Sequence, residues 1–177
     1  MDRDFLSPMI EEFALTSGFG PDTLPIFITH NVLQYQSNLS NCCILGYHYS
    51  TSGPIATAQT WVYATYLDPE IFGSPNFADT ATLSHEIAEW LNDPFVGAFP
   101  GINFIPPISF QGGCLMNFET GDSLEDLADP SFVVNGFHLQ DEAYLFWFLH
   151  TQPSPAANGY YTFVNNFTTP AALCGPG

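Results

Sequence analysis

In residues 83–94, Leu-Ser-His-Glu-Ile-Ala-Glu-Trp-Leu-Asn-Asp-Pro, one histidine, two glutamates and one aspartate fall within nine positions, in a chain otherwise poor in charge. His85 and Glu89 stand four apart, and on a helix that spacing lets both side chains converge on one point. Glu86, beside His85, lies on the flank. A helix offering histidine and a second ligand at i, i+4, with glutamate next to the first, can hold a cation and activate a water. The second ligand is usually histidine, as in H-E-x-x-H. An amphipathic helix whose polar face simply meets water has the same pattern, and this stretch alone leaves both readings open.

A catalytic metal site takes three protein ligands and keeps one position open. Glu119-Thr120-Gly121-Asp122 is the expected source of the third. Glu119 is the expected ligand, and Asp122 a further ligand or a partner that orients one. An exposed acidic turn is the plain alternative. Glu86 is the expected general base. Asp93 is expected at the helix end, bonded to backbone or to His85, or turning with Pro94. His138 is a further candidate near the site, as ligand or orienting partner. His30 and His48 lie in predicted strands and read as core or edge residues. One histidine with two or three carboxylates is a harder donor set than a histidine-rich site. Zinc is expected, with calcium and manganese as alternatives.

These residues need elements to hold them. At about 100° per residue, Leu83, Ile87, Trp90 and Leu91 share the side opposite His85 and Glu89 and are expected to pack on the core. The helix is predicted over about 78–92, capped by Asp79 or Thr80 and limited by Pro94. A short helix is expected from Pro8 to Leu15. Strands are expected at Leu24–Gln34, Cys42–Ser50 and Thr60–Leu67, all rich in β-branched and aromatic residues. Residues 94–113, with four prolines and four glycines, read as a long irregular segment. After it come a strand at Phe132–Leu139, a largely buried helix at Asp141–His150 opened by acidic residues, and a strand at Gly159–Asn165. The expected class is α+β: a small mixed sheet, an active-site helix, and a largely irregular C-terminal subdomain, the order of a zincin-like metallopeptidase domain. One domain is expected over 1–177, with 1–20 as a lead-in, 24–92 as sheet plus site helix, and 93–177 as the loop-rich lower part.

Composition narrows the partners. The chain has 177 residues, 46% of them hydrophobic and 16% aromatic, enough for a full core. It has 18 acidic residues against one basic residue, Arg3, a net charge of -17, and no lysine. Nucleic acid and anionic membrane surfaces are excluded as partners, since both need Lys and Arg. No apolar run is long enough to span a membrane. A trypsin-like protease finds no cleavage site beyond Arg3. The start, Met1-Asp2-Arg3-Asp4, lacks the pattern of a secretion signal, so the chain is expected to be the mature piece of a longer precursor. Cys42, Cys43, Cys114 and Cys174 suggest two disulfides and an extracellular setting. If Cys42 and Cys43 lie in a strand they point to opposite faces, and each then pairs with Cys114 or Cys174. The other pairing is Cys114 with Cys174, which leaves the adjacent cysteines strained or free. Asn38 and Asn166 head glycosylation sequons.

His85-Glu86-Ile87-Ala88-Glu89-Trp90-Leu91-Asn92-Asp93-Pro94-Phe95, followed by Cys114, Asn117, Glu119, Gly121 and Asp122, resembles a group of secreted bacterial proteins. These carry H-E-x-x-E-W-x-x-D-P-F and a later C-x-x-N-x-E-x-G-D. Cys42–His48 and His138-Leu139-Gln140 also look like that group, and the similarity spans about 24–174. More distantly, the pattern is similar to the plant phosphate-induced, exordium-like proteins. The resemblance implies a zincin-like fold with a metal held by His85, Glu89 and a carboxylate from Glu119 or Asp122. Ser123 departs from the proline expected there. The expected function is a secreted metal-dependent hydrolase, a peptidase acting on a peptide or protein. The third strand, if at the sheet edge, would bind the substrate by strand addition. The alternative is a non-catalytic extracellular protein with a structural metal that self-associates into filaments or a surface layer.

Overall fold

The structure is a computed structural model. It describes residues 1–51, 55–71, 75–96, 105–110, 113–125, 127 and 130–174. Half of the segment expected to be irregular at 94–113, and the acidic Asp126, lie outside the described residues.

The chain is a mixed α+β protein with small sheets and few helices. It begins with helix α1 (Arg3–Thr16), where Asp2 accepts the Asp4 N–H at 3.0 Å and so satisfies a first-turn donor. Strands β1 (Ile26–His30), β2 (Gln34–Tyr35), β3 (Cys42–Ile44), β4 (Gly46–Ser50) and β5 (Thr60–Tyr66) follow. The main sheet has the order β1-β5-β4. β1 runs parallel to β5, and β4 antiparallel to it. β5 is therefore the central strand, not an edge, and the edge position next to the site belongs to β4. A central strand is covered on both faces, and all but the last residue of β5 are buried. Trp61 and Tyr63 pack with Ile10 and Ala14 of α1. By strand alternation, Val62 and Ala64 face the other layer, helix α2 (Ala81–Asn92). The Trp90 indole N–H donates to Thr60 Oγ1 at 2.9 Å and locks α2 onto β5.

β4 follows the same alternation. Tyr47 stacks on Tyr63 at 5.1 Å and Tyr49 lies 5.5 Å from Trp61, both toward α1. Gly46, His48 and Ser50 therefore face α2. A Cβ at Gly46 would come within 2.5 Å of Glu86 Oε1 and 2.7 Å of Thr82, so only glycine lets helix and strand approach this closely.

The lower half contains two hairpins, β6 (Ile108–Phe110) with β7 (Gly113–Leu115) and β8 (Ser131–Val134) with β9 (Phe137–Gln140). The strand expected at Phe132–Leu139 is thus two strands. Asn135 (φ 51°) and Gly136 (φ 88°) turn the chain between them, the backbone a two-residue hairpin needs. The helix expected from Asp141 shrinks to α3, Leu145–Phe148. Ahead of it the N–H groups bond across the chain instead, Ala143 to Thr120 O and Tyr144 to Tyr161 O. The fully buried Asp141 accepts from Glu142 N–H, Val164 N–H and the Asn166 amide at 2.8–2.9 Å. No strand forms over Gly159–Asn165. Left-handed backbone at Gly159 and Asn165 breaks the extension, and only an isolated bridge links Thr162 to Ala143. A second core of Ile108, Phe118, Leu124, Trp147, Phe148 and Tyr161 binds this half together.

Cys114 bonds Cys174, and Cys42 bonds its neighbour Cys43. Of the two pairings left open by the sequence, the one joining Cys114 to Cys174 is found; the adjacent cysteines are bonded to each other rather than free, and neither reaches a partner on the opposite face of its strand. Asn38 is exposed and accepts the Ser40 N–H at 2.9 Å; Asn166 is exposed, with its amide on Asp141.

Asp79, at φ 44°, ties the start of α2 to β9. Its Oδ1 accepts the Thr80 N–H and, at 2.8 Å, the His138 N–H; its Oδ2 meets His138 Nδ1 at 2.7 Å. Burial raises the Asp79 carboxyl, but these bonds outweigh it and hold it below the usual range. A lowered carboxyl stabilises the fold above the unfolded pKa of ~4 and loses that contribution as pH falls through its folded value. Asp79→Asn tolerates the left-handed backbone and removes the charge. It is expected to cost about 1–3 kcal/mol at pH 7, with the deficit shrinking as pH falls below the unfolded value of ~4. Thermal melts at neutral and at acid pH check this.

Candidate metal centre

The most consequential departure from sequence expectation is the orientation of α2. Its buried residues are Ala81, Thr82, His85, Glu86 and Glu89, while Leu91 is exposed and Leu83, Ile87 and Trp90 are only half-buried. The helix turns its ionisable face inward, which removes the reading of a water-facing polar surface. Buried charge is costly unless compensated, so this face must meet partners.

It meets them in two groups. His85 Nε2 lies 3.1 Å from Glu89 Oε2 and 3.3 Å from Asp122 Oδ1. On the other side of Glu89, His48 Nδ1 lies 3.8 Å from Glu89 Oε2, and His48 Nε2 lies 3.8 Å from Glu119 Oε2. Each set, His85/Glu89/Asp122 and His48/Glu89/Glu119, offers one ligand atom per residue with all three within 4.8 Å of one another. Of these five residues, all are buried except the half-buried Asp122. These His, Glu and Asp groups can hold a metal ion, and imidazole with two carboxylates admits zinc, manganese or calcium.

The Glu119–Asp122 turn is pinned from both sides. Gly121 N–H and Asp122 N–H donate to Glu89 Oε1 at 2.9 and 3.1 Å. The Gln140 amide donates to Gly121 O at 2.9 Å, and Gln140 N–H to Ser84 Oγ at 2.9 Å. Thr120 donates its hydroxyl to Glu142 at 2.6 Å. β9 thus clamps turn and helix together. A Cβ at Gly121 would lie 2.6 Å from His85 Nδ1. Gly121→Ala therefore pushes the imidazole off its line. It is expected to weaken metal binding about 10–100-fold, measured by titrating a chelator-stripped chain.

Of the residues expected at the site, His85, Glu86, Glu89, Glu119 and Asp122 are brought together. Asp93 accepts the Phe118 N–H at 3.2 Å, and its carbonyl oxygen accepts from His48 Nε2 at 3.1 Å; it bonds His48, not His85. His138 sits on Asp79 at the start of α2, away from both ligand sets. Sequence reasoning missed His48. The alternation of Tyr47 and Tyr49 against Gly46, His48 and Ser50 could have placed it on the helix-facing side.

The electrostatics follow from crowding carboxylates where no lysine exists. Burial lowers the His85 imidazole, but the charge of Glu89 with Asp122 and Glu86 raises it well above its usual value. His48 is raised against burial by Glu86, then Glu89. Glu89 is pulled down to about 2, burial opposing and the His85 charge prevailing. Burial raises Glu86, with Glu89 adding to it. Burial and the charges of Glu89 and Asp122 push Glu119 up to about 10. Burial and Asp122 raise Glu125 to about 7, and burial raises Glu142 to about 8. Protons supply the positive charge here, and a divalent cation competes for the same positions.

A cavity of about 400 Å³ opens on the centre, lined by Cys43, Gly46, His85, Glu86, Asp122 and Gln140 among others. His85, Glu86 and Asp122 are thus reachable from outside.

No family model, curated protein or solved structure matches the chain. The likeness to the secreted bacterial and exordium-like groups rests on the motif residues alone.

Proposed function

We propose that the chain is a secreted metal-dependent hydrolase of zincin-like design, acting on peptide bonds. One observation carries this reading: His85, Asp122 and Glu86 line one cavity together, the first two from a set that could hold a cation and the third beside them. A divalent cation on His85, Glu89 and Asp122 would acidify a water and polarise a substrate carbonyl. Glu86 takes the proton of the attacking water and passes it to the leaving amine. Burial raises its carboxyl, so it holds a proton more readily than an ordinary glutamate, as a base that must also act as an acid requires. Gly46 leaves room at Glu86 Oε1.

The substrate lies along β4, paired on one edge only, by β5, among the described residues. An extended chain adds to such an edge through backbone hydrogen bonds. Two disulfides support an oxidising, extracellular setting. Among the described residues no helix is long and apolar enough to cross a membrane. The test is Glu86→Gln, with peptide hydrolysis and bound metal measured together.

A second reading, a self-associating structural protein, is favoured by a different feature. Phe5, Met9 and Phe13 form an exposed stripe at i, i+4, i+8 on α1.

A further inference from the structure

We propose that the centre holds two cations, back to back on Glu89: one on His85, Glu89 and Asp122, the other on His48, Glu89 and Glu119. This rests on the reading of the first set as one ion's ligands and adds a second, closed site behind it. Its ligands come from three separate places, β4, α2 and the turn before Gly121.

The first support is Glu119. The residue is only 7% exposed, and its Oε2 has no hydrogen-bond partner. An enclosed carboxylate oxygen without a donor is costly. This one lies 3.8 Å from His48 Nε2, and one of its oxygens stands within 4.8 Å of ligand atoms on His48 and Glu89. A cation is the partner that such a donor set fits.

The second is the posture of His48. Its Nε2 is 3.1 Å from the Asp93 carbonyl oxygen, which can only accept, so Nε2 carries a proton. Nδ1 faces Glu86 Oε2 at 3.4 Å and Glu89 Oε2 at 3.8 Å. Those carboxylate oxygens need a positive partner at Nδ1, which a proton supplies and a cation can replace. An imidazole whose other N–H is held by a backbone carbonyl is also how metal-binding histidines are oriented.

The third is charge. Glu86, Glu89, Glu119 and Asp122 crowd the cluster, and the only guanidinium in the chain, Arg3, lies elsewhere, 5.0 Å over the Tyr47 ring. Two divalent cations balance these four carboxylates with both histidines neutral, whereas with one cation protons must supply the rest of the positive charge. A carboxylate shared between ions is how two-metal centres keep them close, ~3.5–4 Å apart. Neither His48 nor Glu119 lines the cavity, so the second ion is enclosed. Its role is to fasten strand, helix and turn.

The experiment counts ions. The full chain is stripped with a chelator and reloaded separately with Zn²⁺, Mn²⁺ and Ca²⁺, and bound metal per chain is measured by elemental analysis. Two ions per chain with at least one of these metals are expected, falling to one in Asp122→Asn and to one in Glu119→Gln. His48→Gln provides a second probe of the enclosed site. A single ion per chain with every metal overturns the two-cation centre, and this wild-type count does not depend on any variant folding. If that single ion is lost in Asp122→Asn and kept in Glu119→Gln, the outer site stands alone. If the pattern is reversed, the reading of the outer set fails too. No bound ion with any of the three metals overturns both.

Discussion

Glu89→Gln is expected to empty the centre of metal and to destabilise the fold by about 3 kcal/mol at neutral pH. Glu89 is the most connected group of the cluster. Oε1 takes the Gly121 and Asp122 N–H groups, while Oε2 faces His85 at 3.1 Å and His48 at 3.8 Å. Glutamine keeps an acceptor for the turn but brings a donor, or an uncharged oxygen, to the histidines. The charge that orders both imidazoles is then gone, in a residue only 2% exposed. The sign of the pH dependence follows from the lowered carboxyl, held at about 2 against burial by the charge of His85. Its stabilisation is present above the unfolded value of ~4 and fades as pH falls toward 2. The gap between wild type and variant should narrow over that interval. Elemental analysis and thermal melts across pH check the two halves separately. A variant that keeps its metal would show that Glu89 is not a ligand.

Glu86→Gln is expected to lower peptide hydrolysis about 10²–10⁴-fold while bound metal stays unchanged. Glu86 belongs to neither ligand set, yet it lines the cavity beside His85 and Asp122. Burial and the charge of Glu89 raise its carboxyl, partly opposed by His48 and His85. A raised base must still be ionised to accept a proton, so wild-type hydrolysis falls on the acid side as pH drops through that value. The glutamine variant loses the base and with it that acid limb. An unchanged rate with metal in place would remove Glu86 from the chemistry.

The chemistry of this protein was more legible in its sequence than its packing. His85, Glu86 and Glu89 declared themselves by spacing, because i, i+4 on a helix is local geometry. Glu119 and Asp122 followed as carboxylates around a glycine. The orientation of α2 was misread, since apolar residues ordinarily mark the buried side. Here Leu91 faces water and the carboxylates face the sheet, an inversion that a functional site can sustain and a plain core cannot. His48 was hidden because a strand histidine becomes chemical only once a particular helix lies against that strand. The stretch 141–165 misled for a similar reason. Acidic residues ahead of an aromatic run look like a helix start, but Asp141 spends its oxygens on Val164 and Asn166. Asn135-Gly136 was a local hairpin signal in plain view within a run read as one strand.

The Cys114–Cys174 bond spans 60 positions, and Glu119 and Asp122 both lie inside that span. A single backbone nick between them and Cys174 would not shed a fragment. The severed end would remain tethered through sulfur, while the carboxylates stayed on the piece that carries His85 and Glu89. The ring turns a cut that would otherwise release the C-terminal piece into damage the molecule can carry.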